Sequence, residues 1–200
     1  MSNDFFQHKA GNYEQNKERV TNVDNIANAM LDKITFKEHM QIMDFGSGTG
    51  LLLEKIAPKV KKITAVDIST SMNQQLASKK DSLQCDLEII EMDLSTTELN
   101  RTFDGIISSM TLHHIDDTDA IFSKFYSLLN EGSFLVIADL DKEDGNFHSE
   151  DTGVFHFGFD QEKLSELASN AGFKNIEITT VSTVHKPQGN YPVFLLTAVK

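Results

Sequence analysis

The residues best suited to chemistry lie in a glycine-rich turn that follows a short apolar run. Residues 42–45 are mostly apolar, Gly46, Gly48 and Gly50 follow at alternate positions, and a helical pattern begins at Leu51. Glycine has no Cβ, so it adopts positive φ readily and lets the backbone approach a ligand closely. A helix start adds unpaired N–H groups and a partial positive charge. The stretch therefore predicts a buried strand, a tight turn and a helix start suited to a carboxylate or a phosphate.

Polar side chains also lie at the ends of several predicted strands. Asp44 lies within the first strand, Asp67 closes the second, Asp93 follows the third, and Ser108 and Ser109 end the fourth. In open parallel sheets, ligands bind beyond the carboxyl ends of the strands, where the strand order reverses. A single aspartate at a strand end is usually a helix cap or a turn former. Three such acids beside a glycine turn predict instead one shared binding site.

Composition indicates an ordinary globular protein. The 200 residues suffice for one domain, and the hydrophobic content of 40% and charged content of 24% are typical of that class. No apolar run approaches the ~20 residues of a membrane span, and the N-terminal residues lack the apolar core of a secretory signal. The single cysteine, Cys85, excludes an internal disulfide. We therefore expect a cytoplasmic protein without a membrane partner.

The charge of the chain bears on its partners. The formal net charge is −12, whereas nucleic-acid binding requires a basic face. We expect no nucleic-acid partner and a monomer or a homodimer.

Strands and helices alternate along most of the chain. Strands are predicted at residues 41–45, 62–67, 87–92, 103–109, 133–140, 174–184 and 192–200. Helices are predicted at 20–34, 51–57, 69–80 and 116–129, and from Asp160 to Gly172. Residues 1–19 form a mobile or partly helical arm, residues 141–159 have no regular period, and residues 185–190 form a loop. This order predicts an α/β protein with a mostly parallel sheet and an antiparallel edge.

The segment from Asp44 to Gly50, Asp-Phe-Gly-Ser-Gly-Thr-Gly, resembles the first motif of class I S-adenosylmethionine (SAM) methyltransferases, D/E-x-G-x-G-x-G. It differs from the dinucleotide motif G-x-G-x-x-G/A, because the third glycine comes one residue early and Leu51 replaces Gly or Ala. The resemblance covers residues 38–200. It implies a Rossmann-like three-layer sandwich with a seven-stranded sheet, order 3-2-1-4-5-7-6, the last strand antiparallel and helices on both faces. Residues 1–37 would form an arm and a cap helix, and residues 141–159 an irregular acceptor-site insertion.

The resemblance also implies roles for individual residues. Asp67 would accept both ribose hydroxyls of SAM, and Asp93 would accept from the adenine amino group. Asp44 and the glycine turn would face the methionine part. The expected cofactor-binding residues are Asp44, Gly46, Ser47, Gly48, Thr49, Gly50, Asp67, Ile68, Met72, Met92, Asp93, Leu94, Ser109 and Met110.

Two adjacent histidines are the candidate catalytic residues. His113 and His114 lie in a Thr-Leu-His-His-Ile stretch, which resembles the Leu-His-His that many small-molecule methyltransferases carry after the fourth strand. Either could orient the acceptor or act as a general base, and His114 is favoured. The alternative is that one of them packs or caps the loop.

The irregular segment supplies further candidates. His148, His156 and Phe157, among other aromatic residues, suggest an apolar or planar acceptor. Alternatively, the loop folds around its own small aromatic core. A metal site of His148, Asp151 and His156 has competent ligand types. Its spacing matches no motif, so no metal is expected.

The N-terminal arm contains two aromatic residues of interest. Phe6 and Tyr13 resemble the lid that closes over SAM in related enzymes. The alternative is a frayed terminus.

The sequence thus favours a SAM-dependent methyltransferase that acts on a small molecule and releases S-adenosylhomocysteine (SAH), similar to the group that includes quinone-biosynthesis enzymes. A SAM-binding partner protein without turnover stays open. An NAD-dependent oxidoreductase is disfavoured by Leu51 and by the lack of a hydride-transfer residue set. The methylated atom is left open.

Overall fold

The computed structural model describes residues 4–148, 150 and 152–200. The strands are β1 (Gln41–Phe45), β2 (Lys62–Asp67), β3 (Asp86–Glu91), β4 (Phe103–Ser109), β5 (Leu129–Leu140), β6 (Lys174–Lys186) and β7 (Gly189–Val199). The α-helices are α1 (Lys17–Lys33), α2 (Leu51–Ile56), α3 (Thr70–Lys79), α4 (Thr118–Leu128) and α5 (Gln161–Asn170). Short 3₁₀ helices cover Ala10–Gln15, Ala57–Lys59, Lys80–Ser82 and Leu112–His114.

All strands belong to one seven-stranded sheet in the order β3-β2-β1-β4-β5-β7-β6. β7 runs antiparallel to both β5 and β6, and the other neighbouring pairs are parallel. This arrangement confirms the predicted fold. The strand order reverses at β1, which pairs with β2 on one side and β4 on the other. Ligand sites in such sheets lie at this point.

Helices cover both faces of the sheet because the central strands are apolar on both sides. In β1, Ile42 packs into the core cluster shared with α1 and α2, whereas Met43 and Phe45 pack into the cluster shared with α4 and α5. Side chains alternate between faces along a strand, so one buried strand contributes to both layers. Helix α1 covers the first face with buried residues at spacings of three and four. These are Val23, Ile26, Ala27 and Met30.

Three regions differ from the sequence prediction. Helix α1 begins at Lys17, three residues before its predicted start and within the predicted arm. β5 begins at Leu129, four residues before the apolar run, because Leu129 pairs with Phe103 ahead of a register shift. The predicted loop 185–190 is also shorter. β6 continues to Lys186 and β7 starts at Gly189, so His185 and Asn190 pair across the hairpin. Polar residues around a Pro and a Gly suggest a loop, but here they extend the two strands beyond the sheet core.

None of the helices in the described ranges combines the length and the apolar character needed to cross a membrane.

Candidate active site

The glycine turn joins β1 to α2 with a left-handed backbone at each glycine. Gly46 has φ +71° and Gly48 has φ +54°. The Gly46 N–H donates to the carbonyl of Val66 at 2.8 Å, which ties the turn to the end of β2. A Cβ on Gly46 would lie 2.1 Å from Oγ1 of Thr111, whereas a Cβ on Gly48 would meet nothing within 4 Å. Gly46 therefore permits close packing inside the protein, and Gly48 faces open space in the cleft described next.

A cleft at the carboxyl ends of the central strands has two adjoining lobes. One lobe, of about 400 Å³, is lined by Asp67 and is called the Asp67 lobe. The other, of about 280 Å³, is lined by Asp44 and is called the Asp44 lobe. Both are walled by the glycine turn, Ser109 and Met110. The turn and the strand ends that the sequence singled out therefore surround one cleft.

The Asp67 lobe collects the expected residues of β2, α3 and β3. Asp67 Oδ2 accepts a hydrogen bond from the Gly48 N–H at 2.8 Å, and Oδ1 accepts one from the Ser69 N–H at 2.8 Å. Burial raises the pKa of Asp67 and outweighs these hydrogen bonds. The two bonds fix the carboxylate at the end of β2, and each oxygen keeps a lone pair for a further donor. Around it the lobe is lined by Ile68, Met72, Met92, Asp93 and Leu94.

Asp93 and Ile68 form opposite kinds of surface in this lobe. Asp93 Oδ1 accepts from the Ser95 N–H at 2.9 Å and from the Ser95 hydroxyl. Burial raises the pKa of Asp93, but hydrogen bonds from Ser95 and Thr96 outweigh it and leave the pKa lowered. Ile68 is 53% exposed although its side chain is large and apolar. The lobe thus offers an ionised acceptor beside an apolar wall.

The Asp44 lobe is surrounded by polar atoms that lack partners. Within the described ranges, six buried side-chain atoms without a hydrogen bond belong to residues that line it. They are Asn22 Oδ1, Asp44 Oδ2, Ser47 Oγ, Thr49 Oγ1, Ser109 Oγ and His148 Nε2. Each buried polar atom left without a partner costs roughly 1–3 kcal/mol, so folded proteins rarely retain several together. The lobe therefore has the donor and acceptor set of a binding site for a polar ligand.

Asp44 is a buried acid with a strongly raised pKa. Its side chain is 1% exposed. Burial, and secondarily the negative charge of Asp67, raises the pKa of Asp44 to about 8. A cation bound beside Asp44 would reverse this effect, because an opposite charge favours the ionised form.

The two histidines of the Leu112–His114 turn have different surroundings. His113 Nδ1 lies 2.7 Å from Oδ1 of Asp139, and the His113 N–H donates to Oδ2 of the same carboxylate at 3.2 Å. Asp139 is fully buried and also accepts from the Leu140 N–H at 2.7 Å. Burial raises the pKa of Asp139, but the His113 charge and these hydrogen bonds outweigh it and leave the pKa lowered. Asp139 is therefore ionised and accepts from His113 Nδ1–H, so the tautomer that this bond selects has its acceptor lone pair on Nε2.

His114 and His148, two further imidazoles of the Asp44 lobe, have lowered pKa values. Burial, with a smaller contribution from His113, lowers the pKa of His114 to about 4. Burial and the neighbouring imidazoles lower the pKa of His148 to about 3. His114 Nδ1 lies 3.1 Å from the carbonyl of Gly153, and His148 Nδ1 lies 3.2 Å from Oγ1 of Thr152. Within the described part of the chain, neither has a carboxylate partner of the kind that His113 has.

The remaining predicted acceptor residues lie away from the cleft. His156 Nε2 lies 2.8 Å from the carbonyl of Ile115, and its ring packs on Phe159. Phe157 is 57% exposed and lines neither lobe. Asp151, considered as a metal ligand, lies outside the described residues. In the ranges that the structure describes, no three His, Cys, Asp or Glu side chains are grouped to hold a metal ion.

Comparison with known proteins identifies the family. A family model described as a methyltransferase domain matches residues 14–178. The chain belongs to this methyltransferase domain family. Among curated relatives, an uncharacterized methyltransferase of Schizosaccharomyces pombe is 29% identical over 189 residues, covering 86% of this chain and 66% of the relative. An uncharacterized methyltransferase of Mycobacterium tuberculosis is 30% identical over 110 residues, covering 54% of this chain and 55% of the relative. The chain thus spans 55% to 66% of the length of these relatives.

Solved structures of methyltransferases share the fold. Phosphoethanolamine N-methyltransferase 2 of Haemonchus contortus, in complex with SAM, matches with a TM-score of 0.72 and 17% identity, over 100% of this chain and 60% of that one. A chain of the Haloferax volcanii complex between the Trm112 methyltransferase activator and a putative methyltransferase matches with a TM-score of 0.78 and 15% identity, over 100% and 99%. Magnesium protoporphyrin IX methyltransferase of Synechocystis, with bound SAH, matches with a TM-score of 0.69 and 17% identity, over 92% and 84%. At these identities the likeness shows the class I fold.

In this methyltransferase domain the N-terminal arm covers the cleft. Phe6 and Tyr13 line both lobes, which is the position expected of a lid. Asp4 anchors the arm on α3, since its carboxylate accepts from the Ser69 hydroxyl at 2.8 Å and from the Ser71 N–H at 3.0 Å. An ion pair between Glu14 and Lys79 adds a second anchor.

Several residues in or next to the cleft were not among the sequence predictions. Asp139, the partner of His113, is the penultimate residue of β5, so its place near a strand end could have singled it out in the same way as Asp67. The others have no signal in the sequence, because folding brings them together from α1, the irregular segment and the β6–β7 hairpin. They are Arg19, Asn22, Thr152 and Lys186.

Proposed function

We propose that the protein is a SAM-dependent methyltransferase that acts on a small molecule. The observation that carries the proposal is the set of unpartnered buried polar atoms around the Asp44 lobe, next to a glycine turn and an acid-lined second lobe. The net charge of −12 supports a small acceptor over a nucleic acid.

The residues present fit SAM part by part. The fixed carboxylate of Asp67 suits the ribose hydroxyls, and Asp93 beside the apolar Ile68 suits the adenine ring and its amino group. Asp44, buried with an unpartnered oxygen, suits the ammonium of the methionine part. When bound, SAM supplies a methyl group on a sulfonium, which is already a strong methyl donor.

The chain's own residues would align the acceptor, exclude water and remove a proton. Phe6 and Tyr13 close the cleft from one side, which keeps solvent out. His113 would accept a proton at Nε2 from an acceptor that must lose one, and Asp139 would hold the imidazole in the required tautomer. We assign the base to His113 rather than His114, because only His113 has a buried carboxylate partner among the described residues.

A SAM-binding partner protein without turnover is the alternative function. The His113–Asp139 pair argues against it, because binding alone needs no oriented imidazole in the ligand cavity.

The test of the function is calorimetric titration with SAM, SAH and NAD, followed by a screen of candidate acceptors for SAH release. We expect micromolar binding of the two adenosyl ligands, no binding of NAD, and SAH release with at least one acceptor class. Binding of NAD alone would contradict the proposal. Binding of SAM without turnover across the screen would favour the partner-protein alternative.

Substitution Asp67→Ala is expected to weaken SAH binding by more than tenfold, ~1.4 kcal/mol. The variant loses the acceptor for the ribose hydroxyls and also the anchor for the Gly48 and Ser69 N–H groups. Calorimetry measures the change. Asp86→Ala is the matched control, because Asp86 is an exposed acid at the opposite end of the neighbouring strand. Unchanged affinity in Asp67→Ala would contradict the assignment of this lobe.

A further inference from the structure

We propose that the acceptor carries an acidic group, such as a carboxylate, which Arg19 and Lys186 bind in the Asp44 lobe. The inference rests on the proposed function and extends it to the chemical class of the substrate.

Arg19 and Lys186 are oriented toward the lobe by contacts that do not neutralise them. The Lys186 ammonium donates to the carbonyl of Phe147 and lies 3.6 Å from the centroid of its ring. The Arg19 guanidinium donates to the carbonyl of Tyr13 at 2.6 Å and lies 3.8 Å from the centroid of that ring. A carbonyl and an aromatic face hold a cation in place but leave its charge uncompensated.

The third cation that lines the lobe, Lys9, differs from these two because it has an acidic partner. Lys9 forms an ion pair with Glu150 at 2.7 Å. Among the described residues, neither Arg19 nor Lys186 has a carboxylate within ion-pair distance. Two unpaired cations therefore line one cavity in a chain whose net charge is −12.

The acids around these cations do not cancel them. Glu143 accepts through Oε2 from the N–H groups of Asn146 and Phe147, at 2.9 and 3.1 Å, and forms no ion pair with either cation among the described residues. Glu18 lines the lobe but is exposed to solvent, which screens its charge. Asp44 has a pKa of about 8, so it is mostly protonated at neutral pH in the free protein, and the proposed function pairs it with the ammonium of the cofactor in the complex.

The two cations also oppose each other. Burial lowers the pKa of Lys186, and the nearby charge of Arg19 lowers it further, while Glu18 and Glu143 act in the other direction. An anion bound between Arg19 and Lys186 would remove this repulsion.

The position of the cations suits an acceptor rather than a structural anion. They come from α1 and from the end of β6, whereas His113 and Asp44 of the same lobe come from the ends of the central strands. An acceptor whose acidic group is bound by Arg19 and Lys186 can present its nucleophile to His113. Phe147 and Val184 add apolar surface to the lining of the same lobe.

The carboxylate of SAM is a second candidate ligand for Arg19 and Lys186. The following experiment distinguishes it from the acidic group of the acceptor. The protein is first saturated with SAH and then titrated calorimetrically with benzoate and butyrate, and with benzamide and butyramide as uncharged matches. We expect the carboxylates to bind at least about tenfold more tightly than the amides. Lys186→Gln should abolish this preference while SAH affinity changes by less than about twofold.

The matched control is Lys174→Gln, which removes the same charge from the exposed far end of β6. It should leave the carboxylate preference intact. Equal binding of carboxylates and amides to the wild-type protein would overturn the inference, and so would a preference that persists in Lys186→Gln. A tenfold loss of SAH affinity in Lys186→Gln would also overturn it, since the cations would then bind the cofactor. Failure of the wild-type protein to bind SAH would contradict the proposed function itself, before any carboxylate is added.

Discussion

Substitution Asp139→Asn is expected to lower kcat by about 10²- to 10⁴-fold, the usual contribution of a positioned general base. Asparagine has one acceptor oxygen where the carboxylate has two, and it has no negative charge. His113 therefore loses either the bond that fixes its tautomer or a bond to its backbone N–H, and the imidazolium formed on proton transfer loses its counter-charge. The measurement is the rate of SAH release with an acceptor found in the screen. SAH affinity should stay within about twofold, because Asp139 lies outside the predicted cofactor contacts.

Two comparisons separate catalysis from a structural effect. The rate loss should shrink as the pKa of the acceptor's nucleophile falls, because an acceptor that is already ionised needs no base. A structural defect would lower all rates alike. His114→Asn is the second comparison, since His114 is the adjacent imidazole and no described carboxylate pairs with it. A larger loss in His114→Asn than in Asp139→Asn would assign the base to His114.

Binding of SAH should strengthen by about tenfold for each pH unit between pH 6 and 8. In the free protein Asp44 has a pKa of about 8, so it is protonated over most of this range. The ligand's ammonium favours the ionised carboxylate, so binding releases a proton and is favoured by rising pH. Calorimetry in buffers of different ionisation enthalpy measures both the affinity and the proton release, which should be close to one at pH 7.

Asp44→Asn should flatten this pH dependence and abolish the proton release. It should also change the stability of the ligand-free protein. The folded state raises the pKa of Asp44, so its contribution to stability falls as pH rises from about 4 to about 8. In Asp44→Asn, the free energy of unfolding should not show this decline with rising pH. Asp32→Asn, an exposed position on α1, is the matched control. A flat profile in the wild-type protein would show that Asp44 does not meet the ammonium.

The sequence predicts the centre of this sheet well because local signals there agree. β1, β2 and β4 have the predicted bounds, since each is a buried apolar run that ends at a glycine, an aspartate or a serine. Local signals are misleading at the hairpin between β6 and β7. A Pro and a Gly among polar residues indicate a loop there, whereas these exposed polar residues extend both strands.

The contact between His113 and Asp139 cannot be read from a local sequence pattern, for a different reason. His113 and Asp139 are 26 residues apart and meet because β4 and β5 pair in one register, with Ser109 opposite Ala138. That register places Asp139 one residue beyond the pair and next to the Leu112–His114 turn. Arg19 and Lys186 are further apart still, and only the completed fold brings them to one lobe.

The N-terminal arm has a kinetic consequence. Phe6 and Tyr13 line both lobes, so one segment borders the proposed sites of both ligands. We expect cofactor and acceptor to exchange only when the arm releases the contacts that Asp4 and Glu14 make with α3. One release of the arm in each catalytic cycle would then set an upper limit on turnover, however fast the chemical step becomes.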